Sequence, residues 1–264
     1  MALRQAWRAG FSPRDRGEGE GARVSQFSNL IRTLAGRDRL TQTETALIES
    51  LPYRRRSFPK GSQLVAEHAR PTDSCLVVNG ITAREVFLSD GSRQISAMHV
   101  PGDFVDLHAF LLRVMDHSVV ALTECEAIFV PHVELLRISE QSPHLTRLLW
   151  LSTLIDGAIQ RAWIASMGRR SPLAHIGHLL CEMYLRLGVT GLVEGDTFDF
   201  PIPQSDLADI MGLSIVHVSR TLKALRKTNF VEWDGGQVRM LDYSRLAKLA
   251  DFDPTYLNLL QEPR

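Results

Sequence analysis

The spacing of apolar residues changes along this chain of 264 residues, so it predicts different elements in different regions. Residues 27–51 favour short helices, and Thr41 followed three residues later by Glu44 matches a capping box. From residue 53 to residue 132, short apolar runs alternate with Asn-Gly, Asp-Gly and Pro-Gly dipeptides. Because Asn-Gly and Asp-Gly between apolar runs are strong hairpin signals, we predict an antiparallel β-domain there.

A long helix is predicted next, from about Ser142 to about Gly168, with Pro143 at its first position. Two apolar rows repeat every seven residues along it, half a heptad apart, as in the seam between paired helices. We expect this seam to join two copies of the chain, and the alternative is that it packs on its own domain. The predicted seam consists of Leu148, Leu151, Ile155, Ala158, Ala162 and Ala165. A second apolar row faces another way and would meet the β-domain: Leu145, Leu149, Ile159 and Trp163.

A different unit is predicted beyond residue 170. Residues 204–227 read as two helices, with Gly212 ending the first in the left-handed conformation and Ser214 capping the second. A short strand at 198–202 precedes them, and a hairpin at 230–241 turns on an Asp-Gly-Gly sequence. This order predicts a winged helix-turn-helix.

The outward face of the second helix is basic, since residues 214–227 hold four basic residues and no acid. Only the major groove admits an α-helix, and there arginine bonds both guanine acceptors while an apolar side chain meets the thymine methyl. We expect Arg220 and Val216 in these roles, with Lys223 or Lys227 on phosphate. The alternative is an ordinary amphipathic helix with a solvated basic face. The predicted DNA-contacting residues are Gln204, Ser205, Ser214, Val216, His217, Ser219, Arg220, Lys223 and Lys227.

Taken together, these segments resemble the Crp/Fnr superfamily from about Leu30 to Leu257. The glycine-marked turns in the β-region follow the order and similar spacing of that family's cyclic-nucleotide-binding β-roll: Lys60-Gly61, Asn79-Gly80, Asp90-Gly91 and Pro101-Gly102. The resemblance implies an α+β fold with an N-terminal antiparallel, jelly-roll-like β-roll, a long dimerisation helix and a C-terminal winged helix-turn-helix. The expected divisions are a disordered tail at 1–23, a sensor domain at 24–141, the dimerisation helix at 142–169, the DNA-binding domain at 170–250 and a C-terminal segment at 251–264.

The resemblance also implies the function, a transcription regulator that binds double-stranded DNA at a pseudo-palindromic site as a homodimer and works with RNA polymerase. Two alternatives are a ligand-binding module that regulates a protein partner and a regulator that responds to cyclic nucleotides. We expect no enzyme, because the sequence has no nucleophile elbow, P-loop or dinucleotide fingerprint and no His-x-His pair in the β-region.

The expected effector pocket departs from the family pattern. Members that bind cyclic nucleotides offer a Gly-Glu pair to the ribose and an Arg followed by Ser or Thr to the cyclic phosphate. Here these pairs become Asp106-Leu107 and His117-Ser118. Without the guanidinium a bidentate contact is lost, and Asp106 would bring a like charge toward the phosphate. We therefore expect no tight binding of cyclic AMP or cyclic GMP, and a pocket that holds an unknown effector or is filled by side chains. Its expected residues are Val105, Asp106, Leu107, His117 and Ser118.

Composition narrows the remaining possibilities. Thirty basic and thirty acidic residues cancel, so any contact with DNA must be local. No apolar run approaches the ~18 residues of a membrane helix, and three scattered cysteines suit buried thiols, so we expect a cytoplasmic protein with no membrane contact. We expect no metal and no cofactor, because His175, His178 and Cys181 read as structural and no cysteine cluster precedes Cys75.

Overall fold

The computed structural model describes residues 25–263, so the predicted tail at 1–23 lies outside the described residues. The helices are α1 Ser28–Ala35, α2 Gln42–Glu49, α3 Ala109–Leu112, α4 His132–Gln141, α5 Pro143–Arg169, α6 Pro172–Val189, α7 Gln204–Met211, α8 Ile215–Lys227, α9 Tyr243–Leu249 and a short 3-10 helix Pro254–Leu257. The strands are β1 Arg54–Phe58, β2 Gln63–Val65, β3 Asp73–Asn79, β4 Thr82–Phe87, β5 Arg93–His99, β6 Ser118–Ala121, β7 Cys125–Pro131, β8 Val193–Glu194, β9 Thr197–Asp199, β10 Val231–Asp234 and β11 Gln237–Met240.

The β-region forms a roll of two antiparallel sheets, with strand orders β1-β7-β3 and β2-β6-β4-β5. Apolar side chains from both sheets share one core, among them Phe58, Val77, Val119 and Ala127. The predicted α+β class and roll architecture are confirmed, and so is the capping box, in which the Thr41 side chain and Glu44 bond each other's backbone N–H groups.

The long helix α5 begins at the predicted proline, and the Ser142 side chain caps it by accepting a hydrogen bond from the Leu145 N–H. Its inner side is covered by the same chain along most of its length. Leu145 and Leu148 pack in a cluster with α1 and α4, while Ile159 and Trp163 pack against α6.

The C-terminal unit surrounds α6 with the helix pair α7–α8 and a sheet of order β10-β11-β9-β8. Gly212 takes φ 62° and ψ 34° at the end of α7, the left-handed conformation predicted for it. The expected strand at 198–202 is shorter, because pairing stops at Asp199 while Phe200 and Ile202 continue into the core as irregular chain.

Buried polar contacts attach this unit to the roll. The Arg186 guanidinium on α6 donates to Asp103 at 2.7 Å and to the Met98 carbonyl at 2.8 Å, and it also pairs with the buried Glu182. At the other end of β5, Arg93 donates to Asp209 of α7 at 2.7 Å. The roll therefore contacts both α6 and the first helix of the helix-turn-helix.

Candidate nucleic-acid interface and sensor pocket

The recognition helix α8 presents one buried and one exposed face. Val218, Leu222 and Leu225 are buried at the predicted spacing of i, i+4 and i+7, so they fix the helix against the core. Ser214 caps the helix by accepting a hydrogen bond from the His217 N–H at 3.3 Å. A rigid, capped helix with a free outer face results.

That outer face carries the predicted contact residues. Val216 is 62% exposed, and His217, Arg220, Lys223 and Lys227 are exposed as well, while Ser219 is half-buried. Among the described residues, the four cations of α8 have no ion-pair partner. Elsewhere Arg84, Arg93 and Arg186 are paired with carboxylates, whereas the four cations of α8 have no such partner among the described residues.

The elements beside α8 extend the same surface. Gln204 and Ser205 are exposed at the start of α7, where the N-cap position is Pro203 and no side chain caps the helix. The β10–β11 hairpin forms the wing, and its two-residue turn has positive φ at both Gly235 and Gly236.

In the roll, two residues expected to face an effector are buried in the protein interior. Val105 lies in the core of the roll. Asp106 is 1% exposed, and its Oδ1 accepts a hydrogen bond from the Cys75 N–H at 2.6 Å. Burial raises the pKa of Asp106 to about 7, against the hydrogen bond from Cys75, which acts to lower it. The expected repulsion between Asp106 and a phosphate is thus replaced by an internal contact with β3.

The other three expected pocket residues, Leu107, His117 and Ser118, differ in their surroundings. Leu107 and His108 line an open cleft between the roll and α5, whose far wall includes Asp156. The Ser118 hydroxyl oxygen already accepts hydrogen bonds within the chain, from the Gln63 side chain at 2.9 Å and from the Glu67 N–H at 3.1 Å.

His117 contacts an arginine that the sequence did not connect with the pocket. The Arg84 Nε on β4 donates to His117 Nε2 at 2.9 Å, and its Nη2 donates to Asp156 of α5 at 3.0 Å. His117 Nδ1 therefore carries the ring proton and donates it to Asp116 at 2.6 Å. Burial, together with Arg84, lowers the pKa of His117 to about 4, so the ring is neutral at neutral pH. A guanidinium from the neighbouring strand thus lies beside position 117, where the sequence itself has none.

Three ligand atoms in this region, from His108, Asp116 and His117, lie within 4.8 Å of one another, close enough to be tested as a metal site. The hydrogen bonds argue against it. His117 uses Nδ1 to donate and Nε2 to accept from Arg84, so neither nitrogen offers a lone pair to a cation unless the arginine leaves.

Two of the six residues in the predicted dimer seam are covered by the chain itself. Leu148 is 0% exposed and Ile155 is 7% exposed, so both face the chain's own core and not a partner. The long helix does present large apolar residues, but on other faces: Trp150, Leu154, Ile164 and Met167. At ~100° per residue, Trp150, Leu154 and Ile164 are centred roughly 100° round the helix from the predicted seam. A heptad repeat identifies an apolar stripe but does not show whether the chain's own core or a second copy covers it.

The remaining candidates lie in the interior. His178 is 2% exposed and stacks on Tyr256, and Cys181 is fully buried beside it. Cys75 and Cys125 are buried, and burial raises the pKa of both thiols, which does not suit an accessible oxidation switch. Within residues 25–263, no helix combines the length and hydropathy that a membrane span requires.

Comparison with known proteins agrees with this architecture. A model of the cyclic nucleotide-binding domain matches residues 55–142, and a model of the Crp-like helix-turn-helix domain matches residues 174–249. The transcriptional activator FnrL of Cereibacter sphaeroides is 27% identical over 219 residues, which cover 81% of this chain and 87% of FnrL. The nitrogen fixation regulation protein FixK of Bradyrhizobium diazoefficiens is 29% identical over 222 residues, 83% of this chain and 91% of FixK.

The solved structure of FixK2 from Bradyrhizobium japonicum shares the fold, with a TM-score of 0.68 and 24% identity over 75% of this chain and 98% of FixK2. A β-roll, a long helix and a winged helix-turn-helix, in a chain whose relatives are named transcriptional activators, define a DNA-binding transcription regulator. The chain belongs to the Crp/Fnr family.

Proposed function

We propose that two copies of this chain bind a pseudo-palindromic DNA site, with one recognition helix in each of two successive major grooves. The observation that supports this is the exposed face of α8, where four cations have no ion-pair partner among the described residues. Two symmetry-related helices on one side of the duplex require half-sites about one helical turn, roughly 34–36 Å, apart. RNA polymerase is the expected second partner, because relatives are named transcriptional activators.

The dimer contact that we propose uses the exposed apolar stripe of α5. Trp150 is 65% exposed, Leu154 55% and Ile164 66%, and they lie on one face with Gly157 between them. Large apolar side chains in such a row are costly to leave in water, and a glycine between them lets a second helix approach closely. Ala158 and Ala165, from the seam predicted by sequence, border this stripe.

Within each half-site we assign base reading to Arg220 and phosphate contacts to Lys223 and Lys227. Arg220 lies one turn after Val216, so the two side chains reach neighbouring base edges, guanine for the guanidinium and thymine methyl for the valine. Lys227 lies in the last turn of α8, where a cation meets the backbone of the duplex.

The test is a comparison of two single variants on a duplex selected from a random pool by the wild-type protein. Arg220→Ala is expected to cost roughly 1–3 kcal/mol on the selected duplex and to relax preference at one base pair. Lys227→Ala, a matched removal of one positive charge from the same helix, is expected to weaken selected and random duplexes alike and to reduce the salt slope by about one. Equal losses on both duplexes for Arg220→Ala would make it a backbone contact and would move base reading to His217 or Ser219.

A further inference from the structure

We propose that Arg84 forms a carboxylate-binding site in the roll and that the chain's own Asp156 occupies it, so that DNA binding needs no diffusible effector. This inference rests on the proposed function, because DNA affinity is one of its measurements. It concerns the same pocket in which the sequence predicts an unknown effector or a filling by side chains.

Arg84 is placed for this role by the β-roll. The register between β4 and β5 shifts between Arg84 and Glu85, a local irregularity that redirects a side chain. The guanidinium is 7% exposed, and it divides its donors between His117 Nε2 at 2.9 Å and Asp156 Oδ2 at 3.0 Å. A buried guanidinium requires a carboxylate or a phosphate as its counterion, and here that counterion comes from α5.

The surroundings also suit a carboxylate. Neither ring nitrogen of His99 has a hydrogen-bond partner, and neither does His108 Nε2, although all three atoms are buried. Burial, with a contribution from Arg84, lowers the pKa of both rings, so each is neutral and carries one N–H donor. His99 Nε2 already lies 4.0 Å from Asp156 Oδ1. The N–H groups of these two histidines have no acceptor and lie near the Arg84 guanidinium. Together they can donate hydrogen bonds to a carboxylate group.

The choice of a carboxylate over a cyclic phosphate follows from position and charge. Arg84 is the only cation bonded to His117 among the described residues. The edge of its guanidinium that faces away from His117 already donates to Asp156. A cyclic nucleotide would have to displace that carboxylate and would then meet both it and Asp116. Asp156 is 31% exposed, so a small carboxylate from solvent has access to the same place once the aspartate side chain is removed.

Occupation by Asp156 has a structural consequence. The bond joins β4 to the long helix, two residues after Leu154 in the exposed stripe of α5. The position of this stripe relative to the roll is thereby fixed by a contact within the chain. We therefore expect wild-type protein to bind its selected duplex with no small molecule added.

The experiment is chemical rescue with sodium acetate, against sodium chloride at the same concentration. Asp156→Ala is expected to bind the selected duplex about tenfold more weakly than wild type in chloride, and acetate is expected to restore most of that loss. Acetate should leave wild type unchanged. It should also leave Arg84→Met unrescued, because that variant lacks the site. Asp116→Ala removes an exposed carboxylate from the other side of His117 and serves as the matched control that acetate does not affect.

A second readout needs no DNA. Acetate is expected to raise the Tm of Asp156→Ala but not that of wild type or Arg84→Met. Asp156→Asn is the folding control. If that variant folds and acetate changes neither the Tm nor the affinity of Asp156→Ala, the proposed carboxylate site is wrong. If wild type binds no specific duplex while acetate still raises the Tm of Asp156→Ala, the site stands and the proposed function fails. If wild type requires an added small molecule, the claim of internal occupation is overturned.

Discussion

Replacing Asp106 by Asn should make the protein more stable at neutral and alkaline pH. The carboxyl group is almost fully buried, and only its Oδ1 has a partner, the Cys75 N–H. Asparagine keeps an oxygen for that hydrogen bond and carries no charge. The substitution therefore removes a buried ionisation while leaving the contact with β3 in place.

The magnitude follows from the pKa of Asp106, which rises from 3.8 to about 7 on folding. Between these values the folded chain keeps the proton and the unfolded chain has lost it, so wild-type stability falls as pH rises through this window. At 1.36 kcal/mol for each tenfold change, the upper limit of the cost at pH above 7 is about 4 kcal/mol. The advantage of Asp106→Asn should thus be small near pH 4, grow toward pH 7 and then stay constant.

The assay is urea unfolding of both proteins at one protein concentration, at intervals from pH 4 to pH 8.5, because a fixed concentration removes the contribution of association. Asp116→Asn is the control. Its carboxylate is 79% exposed and its pKa is lowered, since the hydrogen bond from His117 and neighbouring electrostatics outweigh the effect of burial. The control should be nearly flat over this range, because a pKa lowered from 3.8 places the titration of Asp116 below pH 4. A difference between Asp106→Asn and wild type that stays flat across this range would refute the reasoning, because Asp106 would then have the same pKa in the folded and unfolded chains.

Two further substitutions test the dimer contact and the recognition helix. Leu154→Asp should shift the mass in sedimentation toward the monomer, since it places a charge in the proposed stripe. Val133→Asp on α4 is the control and should leave the mass unchanged. If both variants remain dimeric, the interface lies elsewhere. Ser214→Ala should lower the stability by about 1 kcal/mol in thermal unfolding by loss of the cap, and Ser205→Ala should not; equal Tm values would show that the cap contributes nothing.

Local signals in the sequence predicted the elements that depend on a few neighbouring residues. Gly212 ends α7 and Ser214 begins α8 because each acts on its own backbone, so composition and spacing alone identify the turn. The capping box at Thr41 and the paired glycines of the wing belong to the same category. For this reason the helix-turn-helix was predicted to within a residue.

Contacts between distant segments could not be predicted from the sequence. Arg84 and Asp156 are 72 positions apart, and only the pairing of β4 with β6 brings the arginine beside His117. The same limit applies to the face of α5 that is buried, which depends on where α1 and α6 pack. It also applies to the C-terminal segment, where the Tyr256 hydroxyl donates to Glu182 at 2.6 Å. Periodicity gives the existence of an apolar face, but only the fold determines what covers it.

Buried and half-buried ion pairs connect the roll with three of the helices that follow it, α5, α6 and α7. Arg84 bonds the long helix, Arg186 joins α6 to Asp103 in the roll, and Arg93 bonds the first helix of the helix-turn-helix. Because desolvation offsets most of the attraction in such pairs, their contribution to stability is small compared with their directional effect. These three directional contacts restrain α5, α6 and α7 relative to the roll, and α8 follows α7 through the Gly212 turn. A change in the pocket at Arg84 is therefore expected to reach the DNA-binding surface through the orientation of these elements, with the recognition helix itself unchanged.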